Sequence, residues 1–197
     1  MQPIGGLILA AGEGRRFGSP KQLAPLRGRP LLEHALEAMA QAHSVGPVVV
    51  VLGAHAEAIL AAVALHGAQP VIAQDWADGQ AASLRAGVAA LAERVDAIAI
   101  TLGDQPAISP AAIDAVAGSR DAGSPAVRAS WAGRPGHPVL LERSLFERVG
   151  ELRGDEGARS LLEHARVRLV ACDGLGADAD VDTPAQLLSA GESSPAR

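Results

Sequence analysis

Leu9-Ala10-Ala11-Gly12-Glu13-Gly14-Arg15-Arg16-Phe17-Gly18-Ser19-Pro20-Lys21 is the stretch on which the reading of this chain turns. It follows a short apolar run, Ile4–Ala10, of the length and composition of a buried strand. Glycine carries no Cβ, so Gly12, Gly14 and Gly18 let the backbone turn tightly and bring N–H groups against an anion. Arg15, Arg16 and Lys21 put cations on the same loop; Arg grips phosphate oxygens as a fork and Lys as a point charge. The plain alternative is a Gly-rich turn with solvated charges. The convergence of these glycines and cations directly after the first strand favours a phosphate cradle.

Outward from the loop, the first part of the chain alternates strand and helix. Pro30 occupies a first-turn position before the helically spaced Leu31, Leu32, Ala35, Leu36 and Met39. Pro47–Leu52 holds consecutive valines, as a strand covered on both faces does. A helix over Ala56–Leu65, a short strand over Pro70–Ala73, a helix over Gln80–Arg94, an apolar strand over Ala97–Leu102 and a helix over Pro110–Ala117 follow. This order predicts an α/β fold in one domain, a doubly wound, mostly parallel sheet with helices on both faces. Beyond Arg120 the pattern loosens. Strands are expected at Ser124–Ala129 and His137–Leu141 around a Gly133–Gly136 turn, a helix at Leu161–His164, a strand at Val167–Ala171, and a last helix at Pro184–Leu188 capped by Thr183.

Composition narrows the class. With Trp76, Trp131, Phe17 and Phe146 as the whole aromatic set, the core must be aliphatic. A net charge of −5 argues against a broad nucleic-acid surface, and no nucleic-acid partner is expected. Cys172 is the lone cysteine, so neither an internal disulfide nor a cysteine zinc site can form. The apolar runs are strand-sized and Met1–Ala10 lacks a charged leader, so no membrane association is expected and the cytoplasm is the default location. The Gly/Ser/Pro-rich end, from Ser189 on, reads as a frayed tail.

Two common phosphate loops fail on spacing. A dinucleotide fingerprint needs G-x-G-x-x-G, whereas the third glycine here comes one residue later; Val51-Leu52-Gly53 also stands where the ribose-binding acid would be. A Walker loop needs Gly-Lys-Ser/Thr, but Lys21 follows Pro20. The loop instead resembles the L-A-x-G-x-G-x-R-x-G-x-x-K signature of the molybdenum-cofactor-type nucleotidyltransferases. Gly103-Asp104-Gln105-Pro106 is similar to that family's metal-binding motif. Gly133–Leu140, Gly154-Asp155-Glu156-Gly157-Ala158-Arg159 and Asp180-Val181-Asp182-Thr183-Pro184 look like the later motifs of its cytidylyl branch, so the likeness spans almost the whole chain. It implies a Rossmann-like nucleotidyltransferase fold over 1–190 followed by a tail at 191–197. The implied reaction joins CMP, taken from CTP as substrate, to a molybdopterin-type acceptor with release of pyrophosphate. Mg²⁺ is the implied metal, with Mn²⁺ as an alternative. A molybdoenzyme or its chaperone would receive the product.

The candidate site residues follow. Asp104 stands at the carboxyl end of a buried strand, where open α/β sheets place ligands, although an acid there can also cap the next helix. Asp182 is its expected metal partner and Asp180 the fallback; Asp-Thr-Pro is also a common helix start. Two carboxylates, phosphate oxygens and water make a hard-cation site. Lys21, Arg15 and Asp104 are the expected catalytic groups. The acceptor's phosphate is already ionised, so the barrier is repulsion between anions and no nucleophile–base pair is needed. Leu9, Ala10, Ala11, Gly12, Gly14, Arg15 and Lys21, with Gly79, Gln80 and Ser83 at a helix start, are expected to bind the nucleotide; for Gln80 and Ser83, helix capping is the alternative. His137 and Arg159 are expected on the acceptor side. His34, His43, His55, His66 and His164 are too scattered for a metal site. The guanylyl branch of the family has L-A-G-G at the loop start; here Ala11 adds a methyl that would narrow the space beside the base and disfavour a purine. The acceptor is open between molybdopterin and a sugar or polyol phosphate. A non-catalytic cofactor carrier and a redox role are the remaining alternatives.

Overall fold

The computed structural model describes residues 3–163 and 165–192; His164 and the end of the expected tail, 193–197, lie outside them. The chain opens with β1 (Ile4–Ala10), then the glycine loop, a tight hairpin of β2 (Pro25–Leu26) and β3 (Arg29–Pro30), and α1 (Leu31–Gln41). β4 (Val48–Leu52), α2 (Ala56–Ala62), β5 (Gln69–Ile72), α3 (Gln80–Leu91), β6 (Ala97–Leu102) and α4 (Pro110–Gly118) complete the alternating part. β7 (Ala126–Trp131), β8 (Arg134–Glu142), α5 (Phe146–Glu151), α6 (Ala158–Leu162), β9 (Val167–Ala171) and α7 (Pro184–Glu192) follow.

The strands form one sheet in the order β5-β4-β1-β6-β8-β7-β9. β5, β4, β1 and β6 run parallel; β8 lies antiparallel to both β6 and β7, and β9 returns parallel to β7. The doubly wound, mostly parallel α/β expectation therefore holds. The side-chain alternation of β1 feeds two cores. Ile4, Ile8 and Ala10 pack with α1 and its neighbours, while Leu7 faces Leu84, Val88 and Leu91 of α3. Leu7 and Ile8 are fully buried, each such side chain stabilising by about 1.5–3 kcal/mol. Close approach is written into glycines on both faces: a Cβ at Gly6 would lie 2.8 Å from Met39, and one at Gly87 2.3 Å from Leu7.

Several boundaries differ from the sequence reading. Pro30 pairs with Pro25 in the β2–β3 hairpin and caps α1, which begins at Leu31, because the hairpin takes the residue that would have opened the helix. Arg27 and Gly28 at its tip have φ of 51° and 81°; positive φ at both central residues makes a two-residue turn whose twist suits hairpins. The same device, Ala132-Gly133 at 48° and 76°, joins β7 to β8, so Arg134–Gly136 are strand and the turn is shorter than expected. α2 stops at Ala62, since Val63 is extended. α7 runs to Glu192, so the start of the expected tail is helical. α5 was not anticipated. No helix among the described residues is long and apolar enough to cross a membrane.

Candidate active site

β1 and β6 are neighbours, yet the chain leaves β1 toward β4 and returns to β6 on the other side. Their carboxyl ends therefore form the switch point at which such sheets open a crevice. The loop after β1 and Gly103-Asp104 after β6 rise from it side by side, tied by the Gly103 N–H donating to the Leu9 carbonyl at 2.9 Å. A cavity of about 500 Å³ lies there. Its walls contain all the residues expected to bind the nucleotide: Leu9, Ala10, Ala11, Gly12, Gly14, Arg15, Lys21, Gly79, Gln80 and Ser83. Asp104 joins them, with Gln22, Trp76 and Asp155, which the sequence reading had not assigned to the site.

Gly14 has φ +74°, and its carbonyl accepts the N–H groups of Phe17 (2.9 Å) and Gly18 (3.2 Å), which closes the loop. Gln22 locks the loop's base. Its Nε2 donates to the carbonyls of Ala10 at 3.0 Å and Gly12 at 2.7 Å, while its own Oε1 is buried without a partner. No local sequence pattern marks this role, because it rests on the burial of Gln22 and on the carbonyls that face its amide.

Lys21 is the centre of the charge arrangement. Its Nζ donates to Asp104 Oδ2 at 2.5 Å and Asp182 Oδ1 at 2.8 Å, so the two expected metal carboxylates meet across one ammonium. Burial works against the charged lysine, but the two carboxylates outweigh it and hold its pKa above the ordinary value. Lys21 in turn holds Asp182 below the usual carboxylate range. Asp182 reaches this position because the segment leading to it is pinned to Asp104 and the residues after it. The Val181 N–H donates to the Asp104 carbonyl (2.9 Å), the Ala177 N–H to that of Ala107 (3.1 Å), and Gln105 Nε2 to the Asp178 carbonyl (3.0 Å) and Asp180 Oδ1 (2.8 Å). Asp180 thus sits on Gln105 rather than Lys21; loss of water and the nearby Asp104 charge push its carboxyl up.

The donor set fits a hard divalent cation. Asp104 Oδ1 is buried and unpartnered, a lone-pair position that only a cation or a donor can satisfy. Among the described residues no group of three or more His, Cys, Asp or Glu gathers at metal-binding range. The protein would therefore supply a minority of the ligands, as Mg²⁺ sites completed by phosphates and water do.

The two loop arginines behave differently. Arg15 lines the cavity but pairs with Glu13 at 2.7 Å and is mostly solvated, whereas Arg16 reaches Asp182 Oδ2 at 2.9 Å. The expected acceptor residues lie outside this cavity. His137 is in β8, where its carbonyl accepts the Trp131 indole N–H at 2.8 Å; burial and the Arg128 guanidinium push its imidazole down to about 4. Arg159 is exposed on α6, 3.7 Å from Glu163. Arg128 links them: it donates to the carbonyls of Gly136 and Pro135, and burial, reinforced by the Arg159 charge, lowers its pKa.

The model of the MobA-like NTP transferase domain family matches residues 6–170. The chain is 37% identical over 194 residues to nicotine blue oxidoreductase of Paenarthrobacter nicotinovorans, covering 93% of this chain and 94% of that one. Among solved structures, Rv0371c of Mycobacterium tuberculosis H37Rv superposes with a TM-score of 0.88 at 35% identity, covering 98% of both chains. Its complex with manganese does so with a TM-score of 0.80 at 33% identity, covering 96% of this chain and 99% of that one.

Proposed function

From the premise that this chain belongs to the MobA-like NTP transferase domain family, we propose that it moves CMP from CTP to a molybdopterin-type acceptor and releases pyrophosphate. The observation that carries this is the Lys21 ammonium held between Asp104 and Asp182 at the rim of a glycine-lined cavity. A terminal phosphate oxygen of the acceptor forms the new bond to the α-phosphorus. The bond from that phosphorus to the bridging oxygen breaks, and its electron pair leaves on pyrophosphate. The loop N–H groups and Lys21 bind and orient the triphosphate and oppose its charge. Asp104 and Asp182 would hold Mg²⁺ or Mn²⁺, which when bound supplies further neutralisation of the phosphates. Arg15 contributes at the solvent side of the loop. His137 and Arg159 serve the acceptor from the β7–β8 side, and a molybdoenzyme or its chaperone takes the product.

Pyrophosphate release from CTP, measured with and without molybdenum cofactor, tests the reading. Release that needs the cofactor, stops with a chelator and returns with Mg²⁺ or Mn²⁺ is the expected result. Release with a sugar or polyol phosphate instead would move the acceptor, and tight cofactor binding without release would make the protein a carrier. CTP should support turnover far better than GTP, with Ala11→Gly narrowing the gap; equal rates in the wild type would remove the role given to the Ala11 methyl. The similarity to nicotine blue oxidoreductase favours one second reading, a redox reaction. Consumption of a reduced pyridine nucleotide, with no pyrophosphate formed, is the outcome that would replace the transferase.

A further inference from the structure

One charged group on the cavity wall has no part in the phosphate and metal arrangement. Asp155 lines the cavity beside the start of α3, and among the described residues no donor or cation pairs with its carboxylate. Its placement is built in. The Gly154 carbonyl accepts the Ala81 N–H at 3.0 Å, so the loop carrying Asp155 is seated on the first turn of α3. Contact is so close that a Cβ at Gly79, whose φ is +109°, would lie 2.3 Å from the Gly154 carbonyl oxygen and 2.8 Å from Asp155 Oδ1. A Cβ at Gly157 would lie 2.2 Å from Gln80 Oε1. Two glycines thus allow this loop and this helix to meet where the carboxylate enters the wall.

A triphosphate at neutral pH is anionic and offers only acceptors, so an unpaired carboxylate repels it. The hydrogen-bond donors of a nucleotide are all on its nucleoside half, in the ribose hydroxyls and the base N–H groups. Resting on the reading of the cavity as a nucleoside triphosphate site, we propose that Asp155 accepts hydrogen bonds from the nucleoside and selects which nucleotide the cavity takes. The α3 side of the cavity then receives the sugar and base, and the Lys21 side the phosphates.

Titration calorimetry of the wild type, Asp155→Ala and Asp155→Asn with CTP, UTP, 2′,3′-dideoxy-CTP and inorganic tripolyphosphate, each in chelator and in Mg²⁺, tests this. Asp155→Ala should weaken CTP roughly tenfold or more, as loss of a hydrogen bond to a charged group does. Tripolyphosphate should bind the variant at least as well as it binds the wild type. If the cytosine amine is the donor, the preference for CTP over UTP collapses in the variant. If the ribose hydroxyls are, the preference for CTP over the dideoxy nucleotide collapses instead. Either result supports the assignment. Unchanged CTP affinity overturns it, as does an equal loss for tripolyphosphate, or a loss seen only with Mg²⁺, which would make Asp155 a cation ligand. The nearly isosteric Asp155→Asn keeps the test valid should the alanine variant fold poorly: its amide oxygen still accepts but the charge is gone, so CTP should weaken severalfold, and unchanged affinity overturns the assignment. A wild type that binds tripolyphosphate but no nucleotide overturns the parent reading as well, and is recognisable as such because the defect precedes any substitution.

Discussion

Lys21 is a lysine doing the work of a counter-ion, because its ammonium satisfies Asp104 and Asp182 together. Removing it leaves Asp104 unpaired and Asp182 with Arg16 alone, and in the proposed reaction it takes a positive charge from beside the triphosphate. Lys21→Ala should therefore lower kcat by roughly 10²–10³-fold, the range seen when one donor to developing charge is removed, with a smaller change in KM for CTP. Steady-state kinetics checks this, and the reverse split would reduce Lys21 to a binding residue. Asp104→Ala should abolish turnover while the thermal midpoint moves little, since the residue is partly exposed and no core group is lost. Gln22 acts through the loop. Gln22→Leu would leave the Ala10 and Gly12 carbonyls without their donor, a cost of about 1–3 kcal/mol. Faster amide exchange confined to residues 10–18, with a raised KM, is the expected signature. The place of Lys21 on the glycine loop was legible in the sequence because loop composition is local. The roles of Gln22 and Asp155 were not, because each depends on what faces the side chain across the fold.

At the scale of elements, glycines decide how close two surfaces come. Gly87 in α3 faces Leu7 of β1, with 2.3 Å between a would-be Cβ and Leu7 Cδ1. Gly87→Ala gains up to about 1 kcal/mol in helix propensity, but overpacking costs about 1–3 kcal/mol, so a net loss in denaturant midpoint is expected. Gly79 has the stricter constraint, combining φ +109° with contact to the Gly154 carbonyl. Gly79→Ala should cost about 1–3 kcal/mol and also weaken CTP binding, because it pushes the 154–157 loop off α3. Unfolding curves and calorimetry on one preparation separate the two effects. Elements with strong apolar patterns, β1, β6 and β9, could be placed to the residue from sequence. The β2–β3 hairpin and the short β7–β8 turn could not, because two-residue turns with positive φ carry only a single glycine as their mark.

For the molecule as a whole, pH is the broadest probe. His137 is held down to about 4 in the fold, against an ordinary value of 6.5. The unfolded chain takes up this proton first as pH falls, so stability should decline between about pH 6.5 and 4 and be unaffected by this group above that window. His137→Gln should flatten that part of the profile in denaturant midpoints measured at pH 7, 5.5 and 4.5. Asp182, held low by Lys21, adds a separate loss at more acid pH, below its ordinary value of 3.8. The raised pKa of Lys21 gives the opposite limb, stability that is full below about 10.5 and lost as pH climbs through its folded value. By itself the sequence determined the alternating α/β order, the glycine loop after the first strand and the family, because apolar period, glycine spacing and motif residues are properties of neighbouring residues. Only the tertiary structure decided that Asp104 and Asp182 share Lys21, and that Asp180 belongs to Gln105. It also decided that Asp155 stands on the glycine-lined cavity while His137 and Arg159 stand outside it. Those placements come from strand order and from backbone pairing between segments far apart in the chain, and no local pattern of residue types encodes them.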